Sequence, residues 1–105
     1  MKILQVDFPM LGPLDSEAEK QFEELAQSIN DEPGFLWKIW TWKTDPYEGG
    51  GIYAFENEEA AQSYLEMHSA RLRGMMGADL EIRARIFSVS EHLSGINKAS
   101  EMIVR

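Results

Sequence analysis

From its first residues the chain alternates: Leu4, Val6 and Phe8 fall on one side of an extended segment, Ile3, Gln5 and Asp7 on the other. That period of two predicts a half-buried strand over 3–8. Pro9-Met10-Leu11-Gly12-Pro13 breaks it. Ser16 with Glu19 three positions on is a capping-box pairing, and Ala18, Phe22, Leu25, Ala26 and Ile29 then recur at helical spacing to about Asn30, predicting a helix. Asp31-Glu32-Pro33-Gly34 is its stop. The aromatic and β-branched run 35–43 reads as a second strand and 52–55 as a third, with 44–48 and Gly49-Gly50-Gly51 as a hairpin-like connection. Asn57 is placed to cap a second helix, with Glu58 and Glu59 at its positive end. Ala61, Tyr64, Leu65, His68 and Leu72 share one face of that helix, and Gly74 ends it. Residues 80–89 alternate once more, and Leu93, Ile96, Met102 and Ile103 suit one further turn or an arm.

The order β-α-β-β-α-β is the ferredoxin-like α+β arrangement: a four-stranded antiparallel sheet with two helices on one face. At 105 residues, against roughly 150 for a typical domain, a single domain over 1–105 is expected. Strand 35–43 adds a complication. Phe35, Trp37 and Ile39 alternate with Leu36, Trp40 and Trp42, so it is apolar on both faces, as a strand buried on both faces is. Two helices cover one face only. The open face therefore calls for a second cover: a second copy of the sheet, making a homodimer, or the C-terminal tail folded back.

Composition narrows the function classes. The chain is 44% hydrophobic and 27% charged, with three Trp, three Tyr and five Phe, which excludes disorder. A net charge of −8 repels a polyanion, so no nucleic-acid partner is expected. The absence of cysteine removes disulfides, thiolate metal sites and thiol nucleophiles together. No apolar run approaches the ~20 residues that span a bilayer, and the alternating N-terminus does not read as a signal peptide. A cytoplasmic protein with no membrane partner is the expectation.

Among candidate chemistry, His68 follows Tyr64 by four positions and so faces the sheet. It reads either as a proton relay in an apolar cleft or as a locally satisfied core histidine. Lys38, in the aromatic strand, needs a carboxylate partner or a lowered pKa if buried, or else snorkels from a sheet edge. Trp37, Trp40, Trp42, Tyr53, Phe55 and Tyr64 suit the walls of a flat pocket, or plain core. Arg83 and Arg85 share a face with each other and, on the adjacent strand, with Gln5 and Asp7, as an ion-pair network or an anion site. The chain has no HExxH, no P-loop, no GxGxxG and only two, widely spaced histidines, so no metal site is expected.

Four blocks resemble the YdhR-like monooxygenase family, small members of the dimeric α/β-barrel superfamily. They are Ser28-Ile29-Asn30 through Glu32-Pro33-Gly34-Phe35-Leu36-Trp37-Lys38-Ile39-Trp40-Thr41, Gly49-Gly50-Gly51-Ile52-Tyr53-Ala54-Phe55, Tyr64-Leu65-Glu66-Met67-His68-Ser69-Ala70-Arg71-Leu72, and Leu93-Ser94-Gly95-Ile96-Asn97. The resemblance implies a ferredoxin-like protomer whose sheets pair in a dimer. It also implies oxidation of a planar phenol, quinol or anthrone by O2 without flavin, haem or metal, through a deprotonated, electron-rich substrate. On this reading His68 relays protons and Lys38 or Tyr53 partners the substrate oxygen, while Trp37, Trp40, Tyr64 and Phe55 hold the ring. The alternative is a non-catalytic small-ligand-binding or stress-response dimer.

Overall fold

The computed structural model describes residues 1–104. Their order is β1 (Lys2–Pro9), α1 (Ser16–Ile29), β2 (Phe35–Lys43), β3 (Glu48–Phe55), α2 (Glu58–Met76), β4 (Arg83–Ser88) and a short α3 (Glu91–Ile96), followed by a 3₁₀ turn at Ser100–Met102. The four strands form one antiparallel sheet in the order β2-β3-β1-β4. This is the expected ferredoxin-like α+β fold, with a third, short helix at the tail. Among the described residues no helix is long and apolar enough to cross a membrane.

Periodicity explains the core. In β1 the residues Leu4, Val6 and Phe8 are buried, and Leu4 and Val6 stand opposite Tyr53 and Gly51 on one side and Ile86 and Ala84 on the other. Helix α1 adds Ile29, and α2 adds Ala61, Tyr64, His68 and Leu72. The aliphatic members Leu4, Val6, Ile29 and Leu72 are at most 1% exposed, and burial of each contributes about 1.5–3 kcal/mol.

Helix boundaries follow local hydrogen bonding. Asp15, one position before the expected Ser16, caps α1 by accepting from the Ala18 N–H at 3.0 Å. Asn57 caps α2 as expected, accepting from Ala60 N–H at 2.8 Å. Helix α2 runs past Gly74 to Met76, and Gly77 at φ +125° ends it. Only a residue without a Cβ adopts that backbone readily.

Two expectations about the strands are corrected. The glycines 49–51 lie within β3, not in the connection before it. A Cβ on Gly49 would collide with Met10, and one on Gly50 with the Val6 carbonyl, so these glycines permit close strand packing. Second, β2 carries a bulge at Leu36: Phe35 stands opposite Phe55, and Trp37 opposite Ala54. One inserted residue shifts the alternation. Phe35 thereby shares the helix-covered face with Lys38 and Trp40, while Trp37 and Ile39 point to the open face.

That open face is partly covered by the chain itself. The Trp37 indole N–H donates to the Met102 carbonyl at 2.8 Å, tying the tail to the sheet. Ile39 and Phe87 remain 46% and 39% exposed on the same face. Register places Arg83 opposite Asp7 and Arg85 opposite Gln5, and Arg83 Nη2 pairs with Glu48 at 2.7 Å. The ion-pair reading therefore holds for Arg83, with Glu48 in place of Asp7, whereas Arg85 lies over the Phe87 ring, 5.2 Å from its centroid.

Candidate functional site

Three elements bring the site together. The helix-facing side of β2 presents Lys38 and Trp40, β3 presents Tyr53, and α2 presents His68 from the turn above. All four line a single cavity, closed elsewhere by Phe8, Met10, Leu14, Phe22, Leu25 and Leu72 among others. Its envelope out to the mouth spans ≈ 370 Å³, but the interior offers a water-sized sphere only ≈ 20 Å³. The smaller figure measures the room inside, which is about that of one water molecule.

Of the expected wall residues, Tyr64 lies behind Tyr53, its ring centroid 5.0 Å away. Phe55 is fully buried between Phe35 and Tyr64 and does not reach the cavity. Trp37 is on the opposite face of the sheet, because the Leu36 bulge fixes its side. These two do not join the others.

Hydrogen bonding around His68 is directional. Arg71 Nη2 lies 3.1 Å from His68 Nδ1. A guanidinium only donates, so Nδ1 is the acceptor and the ring hydrogen sits on Nε2. That N–H donates to Tyr53 Oη at 3.3 Å. Tyr64 O–H donates to the same oxygen at 3.5 Å. Tyr53 Oη thus accepts from two neighbours, and its own hydrogen is left for a third partner.

Charge in the cluster is one-sided. Burial, with the cations Arg71 and Lys38 adding to it, pushes the His68 pKa down to about 3, so the ring is neutral. Burial and then Arg71 push Lys38 down to about 7. Tyr53 is driven up by burial and by Tyr64, and Tyr64 is raised chiefly by burial. Both phenols stay protonated. Lys38 Nζ sits 3.3 Å from the Trp40 ring centroid and 4.5 Å from that of Tyr53. Neither Lys38 nor Arg71 has a carboxylate within salt-bridge distance among the described residues, and Arg71 Nε is buried without a hydrogen-bond partner.

Two contributors were not singled out from the sequence. Arg71 stands three positions after His68 on one helical face, and that spacing was the available signal. Gly51 is the other: a Cβ there would stand 2.6 Å from Lys38 Cε and 3.3 Å from Tyr53 Cε1. The missing side chain is the space that the lysine arm fills.

Comparison with known proteins agrees with this architecture. The family described as "Putative mono-oxygenase ydhR" matches residues 3–100, and the chain belongs to it. No curated protein matches the sequence. Among solved structures, a monooxygenase from the gene ActVA-Orf6 of Streptomyces coelicolor, in complex with Nanaomycin D, is 22% identical with a TM-score of 0.62, over 85% of this chain and 87% of that one. SnoaB, a cofactor-independent oxygenase from Streptomyces nogalater, is 19% identical with a TM-score of 0.55, over 84% and 92%. The heme-degrader MhuD from Mycobacterium tuberculosis is 17% identical with a TM-score of 0.56, over 83% and 94%. At these identities the likeness establishes the fold.

Proposed function

We propose that this member of the ydhR family is a cofactor-independent monooxygenase that oxidises a planar phenolic, quinol or anthrone-like molecule with O2. The observation that carries the reading is the convergence of Lys38, Trp40, Tyr53 and His68 on one apolar cavity, with a hydroxyl donor and unpaired cations beside it. Trp40 supplies a flat wall. Tyr53 donates its free hydrogen to the substrate oxygen, and His68 is the link that holds Tyr53 for this, itself held by Arg71. Such donors stabilise an oxyanion as it forms.

The chemistry then belongs to the substrate. Its anion passes one electron to O2, and the resulting radical and superoxide combine at carbon. Loss of water from the hydroperoxide turns an anthrone methylene into a quinone carbonyl. One oxygen atom enters product and the other leaves as water, so no external reductant is needed. Membership of the ydhR family supports the reading, as does the shared fold of SnoaB, itself a cofactor-independent oxygenase.

The working unit in this reading is a cytoplasmic homodimer of single-domain protomers joined through the open face, where Ile39 and Phe87 remain exposed. Oxygen uptake across a panel of quinols and anthrones tests the activity. Turnover of at least one compound, lost in Tyr53→Phe, is the expected result; no uptake on any of them overturns it. The ≈ 20 Å³ interior favours a second reading, a non-catalytic ligand-binding dimer. That reading gives binding of the same compounds with no oxygen uptake.

A further inference from the structure

We infer that Lys38 is the base that takes the ligand's proton, so that the site selects weakly acidic planar hydroxyl compounds and holds them as anions. This rests on the reading of the cavity as a site for planar phenols.

Elimination among the cavity-lining groups leads there. The titratable groups lining it are Lys38, Tyr53 and His68. His68 has no lone pair to offer, since Nδ1 accepts from Arg71 and Nε2 carries the hydrogen given to Tyr53. Tyr53 is a buried, protonated phenol that donates. Lys38 is what remains, and its surroundings keep its amine available. From β3 it faces Tyr53, from α2 His68 and Arg71, and from β1, the segment after it and α1 the uncharged Phe8, Met10, Phe22 and Leu25. Glu32 lies near Tyr64 but makes no ion pair with Lys38. The fixed charge acting on the amine is Arg71, of the same sign.

An ammonium in that setting lacks a counter-ion until a ligand provides one. Proton transfer creates both partners at once: the ligand O–H bond breaks, the proton joins Nζ, and the oxyanion stays beside the new ammonium and the Tyr53 hydrogen. Opposite charges formed together in a low-dielectric site attract strongly. A base titrating near neutrality is well matched to this step. Gly51 is the built feature behind it, because any side chain there would displace the lysine arm from its place over Trp40 and Tyr53. A methyl ether of the same ring has no proton to give and forfeits the ion pair.

The test uses 2-naphthol, whose hydroxyl is mostly neutral in water at pH 8.5, and 2-methoxynaphthalene as probes, bound anaerobically to the full chain. Near-ultraviolet absorbance reads the ionisation of the bound hydroxyl, and titration calorimetry in two buffers reads net protons released. In wild type the bound hydroxyl should ionise at least 100-fold more readily than in water, with no net proton release at pH 8.5. Lys38→Arg keeps a cation but cannot take a proton, and should release one proton per ligand at that pH. Lys38→Met should return the bound hydroxyl to within tenfold of its free ionisation while binding the methoxy probe as wild type does. A neutral phenol in the wild-type site, equal proton release in wild type and Lys38→Arg, or no binding of the hydroxy probe each overturns the inference. Oxygen uptake in air is read separately. Anion formation without uptake keeps Lys38 as the base and ends the oxygenase reading; uptake with a neutral bound phenol does the reverse.

Discussion

Arg71 donates from Nη2 to His68 Nδ1 across 3.1 Å, and this contact decides which ring nitrogen carries the hydrogen. Nitrogen-15 chemical shifts of the imidazole should therefore report the Nε2–H form at neutral pH. In Arg71→Met the second-largest cause of the low His68 pKa is gone. Its NMR titration midpoint should move up from about 3, while burial still holds it below the ordinary histidine value. A midpoint unchanged by the substitution would show that Arg71 does not act on the ring.

His68 makes stability depend on acid. In the native state it stays neutral down to about pH 3, whereas in the unfolded chain it takes a proton near pH 6.5. The unfolded state binds more protons across that window, so the stabilisation present above pH 6.5 is lost as pH falls, by up to about 1.4 kcal/mol per unit. Urea unfolding of wild type and His68→Gln at intervals from pH 7 to pH 4 isolates this contribution. The variant should be the less stable at pH 7 and should lose less on acidification; parallel curves would refute it.

Lys38 acts at the other end of the scale. Its native pKa of about 7 lies below the ordinary 10.5, so between those values the unfolded chain holds the extra proton. Native stability from this group rises with pH over that range. Lys38→Met lacks the rise and should be more stable than wild type at pH 7, with the gap closing towards pH 10. A gap that stays constant would place the amine in water.

Gly51→Ala should displace Lys38. The added methyl would meet Lys38 Cε at 2.6 Å and the Ile39 carbonyl at 3.1 Å, an overpacking that typically costs about 1–3 kcal/mol. Oxygen uptake on any substrate found should fall by at least tenfold. Thermal unfolding monitored beside activity separates the two effects, since a folded but inactive variant locates the loss in the cavity.

Trp37 belongs to the other face, and its removal should be felt there. Trp37→Phe deletes the indole donor to the Met102 carbonyl, a hydrogen bond of about 0.5–1.5 kcal/mol. Limited proteolysis should cut the tail faster while the cavity residues keep their behaviour. Ile39→Glu tests the pairing of sheets instead: light scattering should show wild-type dimers and variant monomers, and a monomeric wild type would remove the dimer.

Much of this was legible because one-sided burial imposes a period. The alternation Leu4-Val6-Phe8 and the face Ala61, Tyr64, His68, Leu72 follow from it, and with them the inward aim of His68. The faces of β2 are less readable: nothing at Leu36 marks an inserted residue, so alternation alone puts Phe35 and Trp37 on one side, whereas the bulge puts them on opposite sides. Gly49-Gly50-Gly51 reads as a turn because glycine most often permits one, whereas here it permits close approach within a strand. The spacing of Arg71 from His68 places the two on one helical face, but it does not show that the guanidinium turns back onto Nδ1 rather than out to solvent.

The sheet order places β2 at an edge, bonded to β3 and to no other strand. The wall that carries Lys38 and Trp40 is thus the part of the sheet that can move without tearing its middle. Its outward amides lack ladder partners and should exchange hydrogen with solvent soonest, while those of β1 and β3 exchange last. On the proposed function, breathing of this margin is the route by which a cavity with room for a single water would admit a flat guest, and ligand should slow exchange there first.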